Sequence, residues 1–304
     1  MSLPTGLRER LRLPAIAAPM FLVSGPDLVM AACKAGIVGA FPALNARTLD
    51  VLESWLAQFS KTNPKDGPPW AMNIMAHRTS ARMQDEVDLA VKYKVPIVIT
   101  ALGSPKAVVD QIKAYGGLVF ADVVSLSFAQ KAAAAGVDGL VLVGAGAGGH
   151  TGAIAGFAFV PAVREFFKGT IVLGGGIGTG QAIRAAEILG ADLAYLGTRF
   201  IASQESMAVP GYKQMLIDAN AEDIIPSAAL TGVTANWLRR SLIAAGYDPK
   251  AMPEKPAVNL GADEATAKKW RDVWSAGQGV GAVREIEPMA AIIEKLASEY
   301  RAVA

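Results

Sequence analysis

Only two histidines occur in this chain, and one of them, His150, stands inside the run 144–152, Gly-Ala-Gly-Ala-Gly-Gly-His-Thr-Gly. A glycine has no Cβ, so backbone there can approach a ligand closely. An imidazole titrating at about 6.5 can take or give a proton near neutrality. Two readings stand at this point: a cofactor loop carrying a catalytic base, or a tight turn with a bystander histidine. Two more glycine-rich turns follow, 174–178 (Gly-Gly-Gly-Ile-Gly) and Gly197-Thr198. Backbone N–H groups in such turns, where a helix begins, are suited to holding a phosphate, and the Thr198 hydroxyl adds a donor. Neither turn carries the lysine of a P-loop, and GGGIGTG is not the opening of a dinucleotide-binding unit. The group expected there is a cofactor's phosphate rather than one being transferred. Close helix–strand packing is the alternative reading of both turns.

These turns each follow a short apolar run, and the runs recur along the chain. They cover 15–19, 37–41, 70–75, 96–100, 118–123, 139–143, 171–173 and 192–196, and helical patterns alternate with most of them at a pitch of about 25 residues. Near-continuous apolar runs suit parallel strands covered on their outer face. The expected fold is therefore α/β, a (β/α)8 TIM barrel, with a doubly wound open sheet as the runner-up. The expected barrel takes in 1–208 and 279–304. Residues 209–278 break the repeat, with prolines at 226, 249, 253 and 256, and are expected to form a smaller, mainly helical, lid-like appendage. In a barrel the C-terminal strand ends form the active site, and the loops after the seventh and eighth strands commonly hold phosphate. A flavin mononucleotide with its phosphate there would lay its ring across the mouth, near Pro19-Met20-Phe21, Asn73 and His150. A sugar-phosphate isomerase or aldolase would use the same two loops.

Composition narrows the classes further. Of 304 residues, 29 are basic and 27 acidic, with no basic stripe, so nucleic acid and anionic membrane are poor partners. Cys33 is the only cysteine, which excludes an internal disulfide and a cysteine-based zinc site; no metal is expected. The opening residues show no signal-peptide core, and no apolar run reaches the roughly 18 residues of a membrane span. A cytoplasmic protein is expected.

Taken together, these residues resemble the nitronate monooxygenase (2-nitropropane dioxygenase) family of flavin barrels. The resemblance covers nearly the whole chain. It rests on Ala18-Pro19-Met20, Asn73, the AGGHTG element 147–152, Gly174-Gly175-Gly176-Ile177, Leu196-Gly197-Thr198-Arg199-Phe200, and Trp274-Ser275-Ala276-Gly277-Gln278. It implies non-covalent FMN, with His150 as the base that takes an acidic Cα proton from a nitroalkane, and O2 as the electron acceptor. Asn73 and Gly148 are implied to contact the ring or ribityl chain, and Gly149 to bind the cofactor beside them. Gly174, Gly175, Gly176, Gly197 and Thr198 are implied at the phosphate. Ala18, Pro19, Met20, Tyr195 and Leu196 are implied to line the same cofactor, and His77 and Gln278 the substrate pocket. An NAD(P)H-dependent flavin reductase acting on quinones or enoyl thioesters, on the same scaffold, is the alternative, and a homodimer is left open. The chain departs from the family pattern at three places. Val143 stands where a polar residue is common, Gly146 where a glutamate is common, and Phe120-Ala121-Asp122 offers no lysine.

Overall fold

The computed structural model describes residues 3–4, 6–64, 66–77, 80–256 and 270–303. Eight parallel strands close into a barrel. They are β1 (Ala15–Ala17), β2 (Val38–Pro42), β3 (Trp70–Met75), β4 (Ile97–Ala101), β5 (Leu118–Val123), β6 (Gly139–Val143), β8 (Thr170–Gly174) and β9 (Leu193–Leu196). Between the sixth and seventh barrel strands lies β7 (Gly149–His150), which belongs to a second sheet. The barrel closes where Ala15, Ile16 and Ala17 pair with Ala194, Tyr195 and Leu196.

The period-two alternation of a strand sorts the side chains. Ile16, Val38, Ala71, Ile97, Phe120, Val141, Val172 and Leu193 pack together inside the barrel. Their neighbours Phe41, Met72, Val98, Val119, Leu140 and Ile171 face outward onto the helices. The barrel centre is thus packed, and only the C-terminal ends of the strands are left to build a site.

The helices begin where the sequence offers caps. Pro26 opens α1 (Pro26–Ala35), and Gly36 ends it in the left-handed region at φ 103°. Hydroxyls of Thr48, Ser125 and Thr179 accept from Val51, Phe128 and Ala182 N–H at the starts of α2 (Leu49–Thr62), α5 (Leu126–Ala134) and α7 (Gly180–Ile188). Between α2 and α5 run α3 (Met83–Lys92) and α4 (Lys106–Lys113). Periodicity does not signal α6 (Gly156–Arg164), because Pro161 interrupts the pattern inside it. After the short α8 (Thr198–Ile201) the chain departs from the βα repeat. It forms α9 (Pro210–Ile217), the hairpin β10 (Ile224–Ser227) and β11 (Ala235–Leu238), and α10 (Arg239–Ala244). It then returns through α11 (Met289–Arg301), which packs against α7 and α1 as the eighth outer helix.

The appendage expected over 209–278 therefore contains a hairpin as well as helices; residues 257–269 of it lie outside the described residues. Trp237 and Leu242 form its small core with Trp270 against them. Among the described residues no helix is long and apolar enough to cross a membrane, and no His/Cys/Asp/Glu group could hold a metal ion. Cys33 is buried, which pushes its thiol up to about 11.

Candidate active site

His150 owes its place to the second sheet. After β6 the chain turns, with Gly144 N–H donating to Gly174 O at 2.8 Å and Ala145 N–H to Ile154 O at 3.0 Å. It then runs antiparallel to β11, with His150 opposite Ala235 and Gly149 opposite Asn236. The Asn236 side chain pins the turn by donating to Ala145 O at 2.9 Å and Ala147 O at 2.7 Å. Thr151 Oγ1 donates to Gly144 O at 2.9 Å. At Gly152 a Cβ would meet Val143 O at 2.4 Å, so only glycine fits. The sequence marks the glycines and the histidine but not the hairpin that fixes them, because β7 has only two residues.

The imidazole Nε2 is sealed from water and has no partner among the described residues. Its ring meets Trp270 edge-on, centroids 5.2 Å apart at 82°, and Trp270 packs on Trp237 at 4.7 Å. Burial lowers the His150 pKa to about 4, because a charged imidazolium loses its hydration there. The ring is neutral at pH 7, and its Nε2 is left unpaired among the described residues. Trp237 and Trp270 are thus both core of the appendage and support for His150, while Trp274 stacks on Tyr212.

The remaining strand ends complete the mouth. Asn73 lies on the inner face of β3, its Nδ2 donating to Ile99 O at 3.2 Å. Ala18 N–H donates to Leu196 O at 2.8 Å. The Pro19-Met20 turn is held by Asn45 Nδ2, which donates to Met20 O at 2.9 Å. A Cβ on Gly197 would meet Met20 Sδ at 3.3 Å, so the turns after β1 and β9 abut. Gly149 and Gly176 have φ of 67° and 72°, with open space where a Cβ would point. Gly175, at φ 126°, packs on the turn after β6.

Several donors at the phosphate-type turns are already engaged. Gly176 N–H donates to Gly146 O at 3.1 Å, and Gln278 N–H to the same oxygen at 2.9 Å. The Thr198 hydroxyl oxygen accepts from Gly277 N–H at 2.8 Å, which leaves its proton to donate. Gly148 is packed tightly on Ala276 and Gly277. Gln278 Oε1 lies close to Gly146, 3.1 Å from where a Cβ there would stand. His77 follows β3, and its carbonyl accepts from Ser80 N–H at 2.8 Å.

Arg199 pairs with neither Asp192 nor Glu205, the acids nearest to it along the chain. It reaches Glu287 at 3.2 Å, while Asp192 holds Arg164. Glu205 accepts from Met289 N–H and caps α11. A cleft of about 410 Å³ runs beside Arg199, Arg284, Lys295 and Glu299. Its lining takes in Gly178, at the end of the 174–178 turn, but not His150, and Glu287 pairs with both Arg199 and Lys295.

One residue of the mouth escapes sequence reasoning as a site residue. Asp122 follows Leu118 and Phe120 on the inner face of β5, and its Oδ1 is sealed without a partner among the described residues. Burial alone raises its carboxyl to about 7. The Tyr195 hydroxyl, on the inner face of β9, is likewise sealed and unpartnered. Burial first, and the Asp122 charge second, push its pKa well above the usual phenol value. The available signal was a lone acid in an apolar strand, Leu-Val-Phe-Ala-Asp-Val.

His150 and Asp122 make opposite contributions to stability against pH. A folded pKa of about 4 for His150 means stability present above about 6.5 and lost as pH falls toward 4, worth about 3 kcal/mol in all. A folded pKa of about 7 for Asp122 means stability present below about 4 and lost as pH rises through 7, worth about 4 kcal/mol. The two slopes nearly cancel between pH 4 and 6.5. Asp122→Asn removes one of them, so the ligand-free variant gains on wild type by about 4 kcal/mol between pH 4 and 7. Urea titrations of both proteins across that range measure the difference; parallel curves would contradict it.

With the geometry in place, the comparisons with known proteins are decisive for the family. The sequence profile described as Nitronate monooxygenase matches residues 60–299. The chain belongs to the nitronate monooxygenase family. A nitronate monooxygenase of Paraburkholderia phytofirmans is 28% identical, over 95% of this chain and 92% of that one. A (3aS,4S,5R,7aS)-5-hydroxy-7a-methyl-1-oxo-octahydro-1H-indene-4-carboxyl-CoA dehydrogenase of Mycobacterium tuberculosis is 28% identical over 80% of this chain. This chain spans 68% of that relative's length. The structure of a nitroalkane oxidase from Streptomyces ansochromogenes superposes with a TM-score of 0.82 at 27% identity, over 98% of this chain and 99% of that one. Nitronate monooxygenase family members are generally flavin-dependent, and this chain is an oxidoreductase of that family.

Proposed function

We propose that the chain is an FMN-dependent oxidoreductase that oxidises nitroalkanes or alkyl nitronates with O2. The observation that carries the reading is His150: a neutral imidazole, held by β7 and β11, with Nε2 unpaired. The mouth suits FMN on its own chemistry. Gly149 and Gly176 leave open space where side chains would otherwise project, and the Thr198 hydroxyl proton remains free to donate. Unpartnered groups on β5, β7 and β9 call for a polar ligand. When bound, FMN supplies the redox chemistry, accepting electrons from the substrate and passing them to O2. His150 Nε2 takes the acidic Cα proton of a neutral nitroalkane. Trp270 packs against the imidazole and restrains its plane.

A second reading is favoured by the Mycobacterium tuberculosis relative, whose name is that of a carboxyl-CoA dehydrogenase. On it, the same flavin would serve an NAD(P)H-dependent reductase of quinones or enoyl thioesters. Anaerobic mixing of the FMN-loaded protein separates the two. Rapid bleaching by an alkyl nitronate, with slow bleaching by NADH and NADPH, supports the proposal. The reverse order would replace it with the reductase.

A further inference from the structure

Asp122 and Tyr195 have no part in the chemistry assigned to His150. They stand three strands apart around the barrel wall, on the fifth and eighth of its strands. Both face inward in the layer above Phe120 and Leu193, where the packed interior ends. They do not hydrogen-bond to each other: Asp122 Oδ1 and the Tyr195 hydroxyl each lack a partner among the described residues. Yet they share one electrostatic environment, since the Asp122 charge acts on the Tyr195 hydroxyl. A sealed carboxyl oxygen and a sealed hydroxyl, each unsatisfied by the other, are costly unless a further polar group reaches them.

Among the described residues, the surroundings of Asp122 offer no counter-charge. Strand β4 places Thr100 beside it, already donating to Phe120 O at 3.2 Å, and Ala101. Strand β6 places Val141 and Val143. Asn73 on β3 is neutral, Tyr195 on β9 and His150 on β7 are neutral at pH 7, and the cation Arg47 lies over the Phe21 ring. Burial is what raises the carboxyl, with no cation among the described residues acting against it.

We propose that Asp122, with Tyr195 beside it, couples reduction of the flavin to the uptake of a proton by the protein. The inference rests on the FMN reading of the mouth. Two electrons and one proton convert the oxidised ring to its reduced anion. The added negative charge would make an ionised Asp122 still costlier, since that carboxyl has no cationic partner among the described residues, so a second proton passes from solvent to Asp122. Where the carboxyl is already protonated the extra uptake vanishes; where it is forced to stay ionised, the reduced ring is held more weakly. Asp122 acts through the ring's charge and is a positioning residue rather than a catalytic one.

Spectroscopic titration of the FMN-loaded protein with dithionite and a reference dye, from pH 5.5 to 9, tests this without any substrate. Wild type should show an inflection on the alkaline side of about 7, below which its potential agrees with that of Asp122→Asn. At pH 9 the ratio of reduced to oxidised FMN affinity should be about tenfold lower in wild type than in Asp122→Asn, about 30 mV for a two-electron couple. Tyr195→Phe removes the neighbouring hydroxyl dipole and should move the inflection, which keeps the idea testable should Asp122→Asn fail to fold. Parallel lines for wild type and Asp122→Asn, or a wild-type line without inflection, overturn the proposal while leaving the flavin reading intact. A wild-type protein that takes up no FMN at any pH overturns the flavin reading and this inference with it.

Discussion

Replacing His150 with asparagine should slow turnover of a neutral nitroalkane by about 10²- to 10⁴-fold, the usual contribution of a positioned general base. Oxidation of the preformed nitronate should be almost unaffected, because its Cα proton is already gone. The backbone pairs between Gly149–His150 and Ala235–Asn236 do not use the imidazole, so the strand survives the change and FMN uptake should too. The pH profile follows from the same burial. With its pKa held at about 4, His150 is deprotonated throughout the neutral range. The nitroalkane kcat/KM should stay flat on the acid side from pH 7 to about 5 and fall as pH approaches 4. Steady-state rates on the two forms of one substrate, for wild type and His150→Asn, are the measurement. Equal losses on both forms would show that His150 does not abstract the proton.

Trp237→Ala should cost about 3–5 kcal/mol of stability, the range for removing a large buried aromatic side chain. Trp237 is fully buried, donates from Nε1 to Ser227 O at 3.2 Å, and packs against Trp270. The loss falls on the hairpin β10–β11, and through it on β7, because β11 is the strand that both neighbours share. Trp270 would lose its backing and His150 its edge contact. The variant should therefore lose catalytic rate at temperatures where the barrel is still folded. Urea unfolding followed by far-UV circular dichroism gives the stability, and steady-state kinetics gives the rate. A cost below about 1 kcal/mol, or an unchanged rate, would show that the small sheet does not hold the site.

Much of this molecule is legible in its sequence where local physics decides. The runs 70–75, 118–123 and 139–143 match strands residue for residue, because a parallel strand buried on both faces is a continuous apolar run. Pro26 and Thr179 mark helix starts for the same local reason. What is not legible depends on partners distant in sequence. The two-residue strand Gly149–His150 exists only because Ala235 and Asn236 come to meet it. Arg199 finds Glu287, 88 positions along, rather than a nearer acid. Asp122 reads as a stray acid in a strand until the barrel closes and sets Tyr195 in its field. Pro161, which argues locally against a helix, is overridden by the packing of Phe159, Val160 and Val163 against the barrel.

The central claim is that the barrel mouth beside His150 holds FMN. The direct measurement is the visible absorption of the protein after incubation with FMN and removal of the excess, on wild type and on Gly176→Val. Gly176 has φ 72° and open space at its Cβ position, so a valine there is strained and its side chain takes up that space. The account predicts a yellow wild type that releases about one FMN per chain on heating, as expected for a non-covalently bound cofactor, and a folded but colourless variant. A colourless wild type, or a variant as yellow as wild type, would contradict it.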